Sequence, residues 1–229
     1  MILGIDTTAK TCSVALVSQA TLGVRTIHDG PTHSQTLLPF VKDLLEEASV
    51  SPEDLDVIAV SAGPGSFTGL RIGISAAKGL AFPFSTPCAP VSTLEALAMN
   101  LRDFEGAIAC PVMDARRGEF YNALFRIENG VPVRITADRA IEGEFLKNEL
   151  LCYDGVIVLG DGAEKFASFF PEYENKLASE EMRFQNGESV ALVGMRLLKE
   201  NKLTSCHALS PSYLRIPQAE REWRAKNKD

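Results

Sequence analysis

The sequence predicts an α/β chain of two similar lobes, each a mixed sheet with flanking helices. Three observations carry this. First, an apolar run, Val57 to Val60, feeds the corner Gly63-Pro64-Gly65-Ser66-Phe67-Thr68-Gly69-Leu70-Arg71-Ile72-Gly73, which opens a segment with helical spacing. Second, an apolar strand ending in aspartate occurs twice, at Ile2 to Asp6 and at Ala107 to Asp114. Third, the run Val156-Ile157-Val158-Leu159-Gly160-Asp161-Gly162-Ala163 repeats the strand and glycine corner in the second half. The 229 residues accommodate two lobes of about 100 residues each. The N-terminal lobe is placed at 1–103 and the C-terminal lobe at 104–217.

In chain order, Ile2 to Ile5 and Cys12 to Val17 read as strands across a short polar turn, and Leu22 to His28 extends the meander. Over 33–48, Leu37, Val41, Leu44 and Ala48 recur at helical spacing, and Leu38 and Leu45 widen the stripe. Pro39 is expected in the first turn of that helix. A strand near 56–61 then enters the glycine corner and a helix near 66–82, with Ser66 as its N-cap. A short helix begins near Leu94, capped by Ser92 or Thr93.

In the second half the turn Ala115-Arg116-Arg117-Gly118 leads to a strand over Glu119 to Ile127. Asn129-Gly130 makes a tight hairpin into a third strand, Val131 to Ala137. Helices are expected from about 163 and over 188–200, the latter with Val190, Val193 and Leu197 as its stripe. The stretch 218–228 is either a helix packed back on the first lobe through Trp223 or a frayed tail. Two halves of this kind facing across a cleft describe the actin-like, sugar-kinase-like (ASKHA) architecture.

Bulk properties exclude several classes. A formal net charge of −7 and a pI near 5.1 give no broad basic field, so any RNA contact relies mostly on a partner. No basic n-region precedes the first strand and no apolar run reaches spanning length, so neither a signal peptide nor a membrane helix is expected. Cysteines at 12, 88, 110, 152 and 206 form no CxxC pair. They read as buried free thiols of a reducing compartment, the cytoplasm.

The candidate sites are few. Asp6 and Asp114 either point from two strand ends into one cleft, where they could position a magnesium–phosphate complex, or cap their own turns. Thr7 and Thr8 follow Asp6, and their hydroxyls could donate to a phosphate. Asp114 is followed by Ala115, Arg116 and Arg117, whose bulk argues against a glycine-type turn there. Asp6, Thr7, Thr8 and Asp114 therefore mark at most a vestigial nucleotide cleft. No cofactor is expected, and weak ATP or ADP binding stays open. The glycine corner lacks the Gly-Lys-Ser/Thr ending of a P-loop, and Gly69, Gly73 and Ala77 form a small-residue stripe suited to close helix packing. His28, His33 and His207 show no metal-ligand spacing, and no nucleophile elbow occurs. No catalytic and no metal residue is assigned.

Amphipathicity points to a partner. The helices at 33–48 and 66–82 carry more apolar surface than one sheet face covers. Leu37, Leu38, Val41, Leu44 and Leu45 on the first, with Gly69, Leu70, Gly73, Ile74 and Ala77 on the second, are read as the partner-binding face of a four-helix interface, isologous in a homodimer. On that reading Leu37→Glu or Ile74→Glu breaks pairing while the lobe stays folded.

With these motifs placed, the chain resembles the TsaB (YeaZ) family of bacterial tRNA threonylcarbamoyladenosine biosynthesis. The resemblance rests on Leu3-Gly4-Ile5-Asp6-Thr7, Leu37-Leu38-Pro39, Gly63 to Gly73, Val91-Ser92-Thr93-Leu94, Met113-Asp114-Ala115-Arg116-Arg117-Gly118-Glu119 and Pro211-Ser212-Tyr213-Leu214-Arg215. It implies a non-catalytic, degenerate paralogue of TsaD that forms a heterodimer with TsaD through the first two helices of the N-terminal lobe. The ATPase TsaE joins them, tRNA is met indirectly through the complex, and the chain alone forms a homodimer. The threonylcarbamoyl group goes to the adenosine beside the anticodon, with catalysis in TsaD. Thr93 and Leu97 stand where TsaD carries metal-binding histidines. An autonomous ATP-dependent phosphotransferase of the same superfamily is the competing reading, and residual ATPase activity stays open.

Overall fold

A computed structural model describes residues 1–30 and 32–215. β1 (Ile2–Asp6) pairs antiparallel with β2 (Cys12–Val17), and β3 (Thr21–Ile27) adds to β2. After α1 (His33–Glu47) the chain returns as β4 (Val57–Gly63), parallel to β1. α2 (Phe67–Ala81) then crosses to β5 (Cys88–Ser92), which extends the sheet to the order β3-β2-β1-β4-β5. β1 and β4 are buried throughout, as central strands covered on both faces must be, hence their unbroken apolar runs.

Leu37, Val41, Leu44 and Leu45 of α1, with Ile74, Ala77 and Ala81 of α2, pack on one face of this sheet against Leu3, Ile5, Val14 and Leu16. Pro39 lies inside α1, not in its first turn, because the helix already begins at His33. The carbonyl it leaves unbonded, that of Gln35, is on an exposed turn where water can serve it. α2 starts at the expected N-cap, the Ser66 hydroxyl accepting from the Gly69 N–H. α3 (Thr93–Met99) is capped by Ser92, whose hydroxyl accepts from the Glu95 N–H.

The second lobe opens with β6 (Ile108–Asp114). β7 (Glu119–Asn122) and β8 (Phe125–Glu128) both pair with it in one register, Val112 facing Asn122 and Ile108 facing Arg126. The single strand expected over 119–127 is thus interrupted at Ala123-Leu124. Pro111, in register with Ala123, has no N–H to offer the ladder, and its carbonyl is taken by the Asn122 side chain at 2.9 Å. β9 (Val131–Arg134) returns through the Asn129-Gly130 hairpin, and β10 (Arg139–Glu142) pairs with β7. Both turn residues have positive φ, 53° and 73°, as a primed turn requires.

α4 (Gly143–Leu150) leads to β11 (Val156–Leu159), which lies parallel to β6 as β4 lies parallel to β1. The corner glycines correspond too: Gly63 has φ 129° and Gly160 φ 102°, conformations open to glycine alone. α5 (Ala163–Phe169) and α6 (Glu180–Arg183) follow, with Phe120, Phe166, Phe170 and Tyr173 at the centre of the second core.

α7 (Gly187–Lys199) corrects the lobe boundary. Val190, Ala191 and Val193 pack against Ile2, Ala15, Val57 and Ala89, so this helix covers the free face of the first sheet. Residues from 187 onward were expected with the C-terminal lobe, but an apolar stripe folds onto whichever sheet face lacks a cover. α3 sits between the lobes: Leu94, Leu97 and Ala98 share a core with Met113, Phe125 and Leu159 of the second sheet. The stretch 218–228 with Trp223 lies outside the described residues. Among the described residues, no helix is long and apolar enough to cross a membrane.

Candidate functional site

The strand ends meet at a cavity of about 440 Å³ between the lobes, lined by Thr8, Lys10, Gly65, Thr68, Asp114, Asp161 and Arg215, among others. Asp6 does not line it. The carboxylate is fully buried, one oxygen accepting from the Thr8 N–H (2.8 Å) and hydroxyl (2.7 Å), the other from the Ser61 hydroxyl (2.5 Å). Burial raises its pKa, and these bonds partly offset the rise.

Thr7 donates its hydroxyl to the Gly69 carbonyl at 2.7 Å. A hydroxyl has one hydrogen, so neither threonine retains a side-chain donor for a phosphate in this arrangement. Gly69 itself is fixed by that contact: a Cβ there would lie 1.9 Å from the Thr7 carbonyl oxygen. The small-residue stripe thus serves the approach of α2 to the end of β1, not that of a partner helix.

Asp114 lies at the cleft and also caps its own turn. Its Oδ1 accepts from the Arg116 N–H (2.8 Å), and both oxygens accept from Lys165 Nζ at 2.9 Å. The turn after it has a glycine-type shape despite its bulk. Arg116, Arg117 and Gly118 have φ of 65°, 57° and 78°, and the two arginines each carry about 1–2 kcal/mol of strain in that region. Asp161 belongs to the site and was missed. Burial pushes its carboxyl up to about 6, partly offset by Gln185, while the charges of Asp114 and Asp6 raise it further. Its Oδ1 has no hydrogen-bond partner. The pattern Gly160-Asp161-Gly162 was the available signal, since it occupies the second copy of the glycine corner.

The segment 212–215 closes one side of the cleft. The Ser212 N–H bonds to the Ala62 carbonyl (2.7 Å), Tyr213 stacks on Phe67 with ring centroids 5.1 Å apart, and Arg71 Nε donates to the Tyr213 hydroxyl at 3.2 Å. Arg215 reaches the other lobe, donating to the Ala115 carbonyl (2.5 Å) and pairing with Glu119.

On the outer side of the first lobe, α1 and α2 border a groove of about 750 Å³ lined by Ser34, Leu38, Phe67, Arg71, Ile72, Ala76 and Leu80, among others. Of the residues assigned to partner binding, Leu38 alone is exposed, at 51%. Leu37, Val41, Leu44, Leu45, Gly69, Leu70, Gly73, Ile74 and Ala77 are buried in their own lobe. The helices chosen do carry an outward apolar surface, but the residues chosen were their inward stripe. Leu37→Glu and Ile74→Glu would therefore put a charge into the core and not test pairing.

The other chemistry-bearing residues are structural. Thr93 and Leu97 are buried at the lobe junction, 0% and 1% exposed. Cys12, Cys88, Cys110 and Cys206 are buried, and Cys152 is exposed, against the expectation that all five are buried. Burial pushes the Cys12 and Cys110 thiols up to about 12, which leaves them unreactive at neutral pH. Among the described residues, no group of three or more His, Cys, Asp or Glu side chains could hold a metal ion.

Fold and cleft together define a member of the two-lobed actin-like, sugar-kinase-like class in which Asp6 and Asp114 are engaged by residues of the chain itself. The family described as TsaD, tRNA N6-adenosine threonylcarbamoyltransferase, matches residues 28–223. The tRNA threonylcarbamoyladenosine biosynthesis protein TsaB of Bacillus subtilis (strain 168) is 33% identical over 227 residues, 97% of each chain. TsaB of Escherichia coli (strain K12) is 32% identical over 217 residues, 93% of this chain and 94% of that one. Among solved structures, a Pseudomonas aeruginosa protein described as similar to peptidase YEAZ superposes with a TM-score of 0.82 at 27% identity, covering 93% of this chain and 99% of the other. YeaZ from Pseudomonas aeruginosa gives 0.79 at the same identity and coverage. The chain belongs to the TsaB (YeaZ) family, and its role lies in tRNA threonylcarbamoyladenosine biosynthesis.

Proposed function

We propose that this chain is a non-catalytic subunit that pairs with a TsaD partner through the α1–α2 groove and supports threonylcarbamoyl transfer to the adenosine beside the tRNA anticodon. The observation that carries the reading is the engagement of the two aspartates that end β1 and β6. Asp6 is held by Thr8 and Ser61, and Asp114 by Lys165 and its own turn. A phosphoryl-transfer site needs carboxylates free to hold the metal and orient the nucleophile.

The groove supports the pairing half of the proposal. It is a long apolar surface beside Arg71, of the kind a second helix pair covers. In isolation the same surface serves a homodimer. TsaE joins the pair, tRNA is met through the complex, and the cytoplasm is the compartment. No cofactor is required, and any ATP or ADP in the cleft binds weakly, because Thr7 and Thr8 have no spare side-chain donor.

Reconstitution tests this. tRNA modification by TsaD, TsaE and the adenylate-forming enzyme of the same organism is measured with and without the chain, and with its Asp114→Asn variant. Dependence on the chain that survives Asp114→Asn is the expected result. Modification that proceeds equally well without the chain would overturn it, and ATP turnover by the chain alone, abolished by Asp114→Asn, would establish the phosphotransferase instead.

A further inference from the structure

The Arg116-Arg117 turn combines two properties that no other part of the second lobe shows. Between residues 104 and 186, every other arginine and lysine has a carboxylate or ring partner: Arg126, Arg134, Arg139, Lys147, Lys165 and Arg183 in ion pairs, Lys176 over Tyr173. The guanidinium groups of Arg116 and Arg117 are exposed and have no partner among the described residues. Their backbone is also the strained, left-handed one, which asparagine or glycine would adopt more readily.

The carboxylates beside the turn are partly neutralised. Asp114 is held by Lys165 and Glu119 by Arg215, while Glu142, exposed across the strand pair from Glu119, and Asp161, buried in the cavity wall, have no cation partner among the described residues. A local positive corner therefore persists on a chain of net charge −7. Arg116 lines the mouth of the interlobe cavity and Arg117 does not, so a ligand touching both must run from the cavity mouth onto the outer surface. A strand of phosphodiesters does this, and the planar guanidinium fork matches its oxygens.

We propose that the Arg116-Arg117 turn is a sequence-independent phosphate contact for the RNA on which the complex acts. This rests on the reading of the chain as a subunit of the tRNA-modifying complex. The contact is local, because the acidic body repels RNA elsewhere, so it adds to phosphate contacts made by the partner.

The test uses the full chain assembled with TsaD and TsaE and fluorescently labelled tRNA, with affinity measured across a salt series. Arg116→Asn with Arg117→Asn removes both charges while suiting the backbone. The expected result is a dissociation constant raised about tenfold and a log–log salt slope shallower by about 1 to 2, with the chain's melting temperature unchanged or higher. Arg116→Lys with Arg117→Lys is expected to retain the salt slope while losing part of the affinity. Unchanged affinity and slope in an intact complex would overturn the proposal. So would a lowered melting temperature or failed assembly on gel filtration, which assign the turn to folding or to a protein contact. Weakened ATP or ADP binding with unchanged tRNA binding would assign the phosphate to a nucleotide and also overturn it. If the wild-type chain changes neither tRNA binding nor modification, the subunit reading fails and takes this proposal with it. Failure confined to the variants removes the contact alone.

Discussion

At the scale of single residues, burial decides which carboxylates take part in chemistry. Burial pushes the Asp161 carboxyl up to about 6 in the folded chain, from an ordinary value of 3.8. A raised carboxylate pKa means that the folded state holds more protons than the unfolded one between these values, so this residue makes the chain less stable as pH rises through that window. Asp161→Asn is expected to stabilise the chain at pH 7.5 by on the order of 2 kcal/mol, with the gain fading toward pH 4. Urea midpoints of both proteins at the two pH values check this, and a constant difference would contradict the assigned cause. Asp6 is shifted in the same direction by the same burial. Gly69 gives the steric counterpart. Gly69→Ala drives a Cβ into the Thr7 carbonyl and is expected to lower stability by roughly 2–3 kcal/mol, read as a drop in the urea midpoint. An unchanged midpoint would mean that α2 can move away from β1.

At the scale of elements, α1 carries two apolar faces and only one meets the sheet. Leu37 is completely buried whereas Leu38, its neighbour, is half exposed. Leu38→Glu is expected to leave the melting temperature within about 2 °C of wild type, as an exposed substitution should, while abolishing self-association on gel filtration. Leu37→Glu is expected to cost more than about 3 kcal/mol and to unfold the lobe. A folded Leu38→Glu variant that still associates would remove the groove from the interface. The helix period located both faces in the sequence, but spacing alone does not say which face the sheet covers. The strand interruption at Ala123-Leu124 was legible in principle, since Pro111 sits in the facing strand. It required the register, which pairs residues across the turn at 115–118.

At the scale of the whole molecule, the lobes are tied together by α3 and by the strap at 212–215. Arg215 is the strap's anchor on the second lobe, donating to Ala115 and pairing with Glu119. Arg215→Ala is expected to lower stability by about 1–2 kcal/mol and to speed amide exchange in both cleft walls, at 62–68 and at 112–119. Hydrogen exchange followed by mass spectrometry checks this. Faster exchange confined to residues near 215 would show that the strap does not couple the lobes.

The sequence by itself determined the two-lobed α/β plan, the duplication, the glycine corners, the Ser66 N-cap and the two apolar faces of α1. Each is written in local spacing or in residues whose backbone freedom is particular, such as Gly63 and Gly160. Only the tertiary structure decided that α7 covers the first sheet, that Asp6 and its threonines bond to one another and not into the cleft, and that Asp161 lies at the cleft. Those outcomes depend on which surfaces meet across long separations in the chain, as Ser61 meets Asp6 and Arg215 meets Glu119. Burial and hydrogen-bond partnership arise only when those surfaces meet.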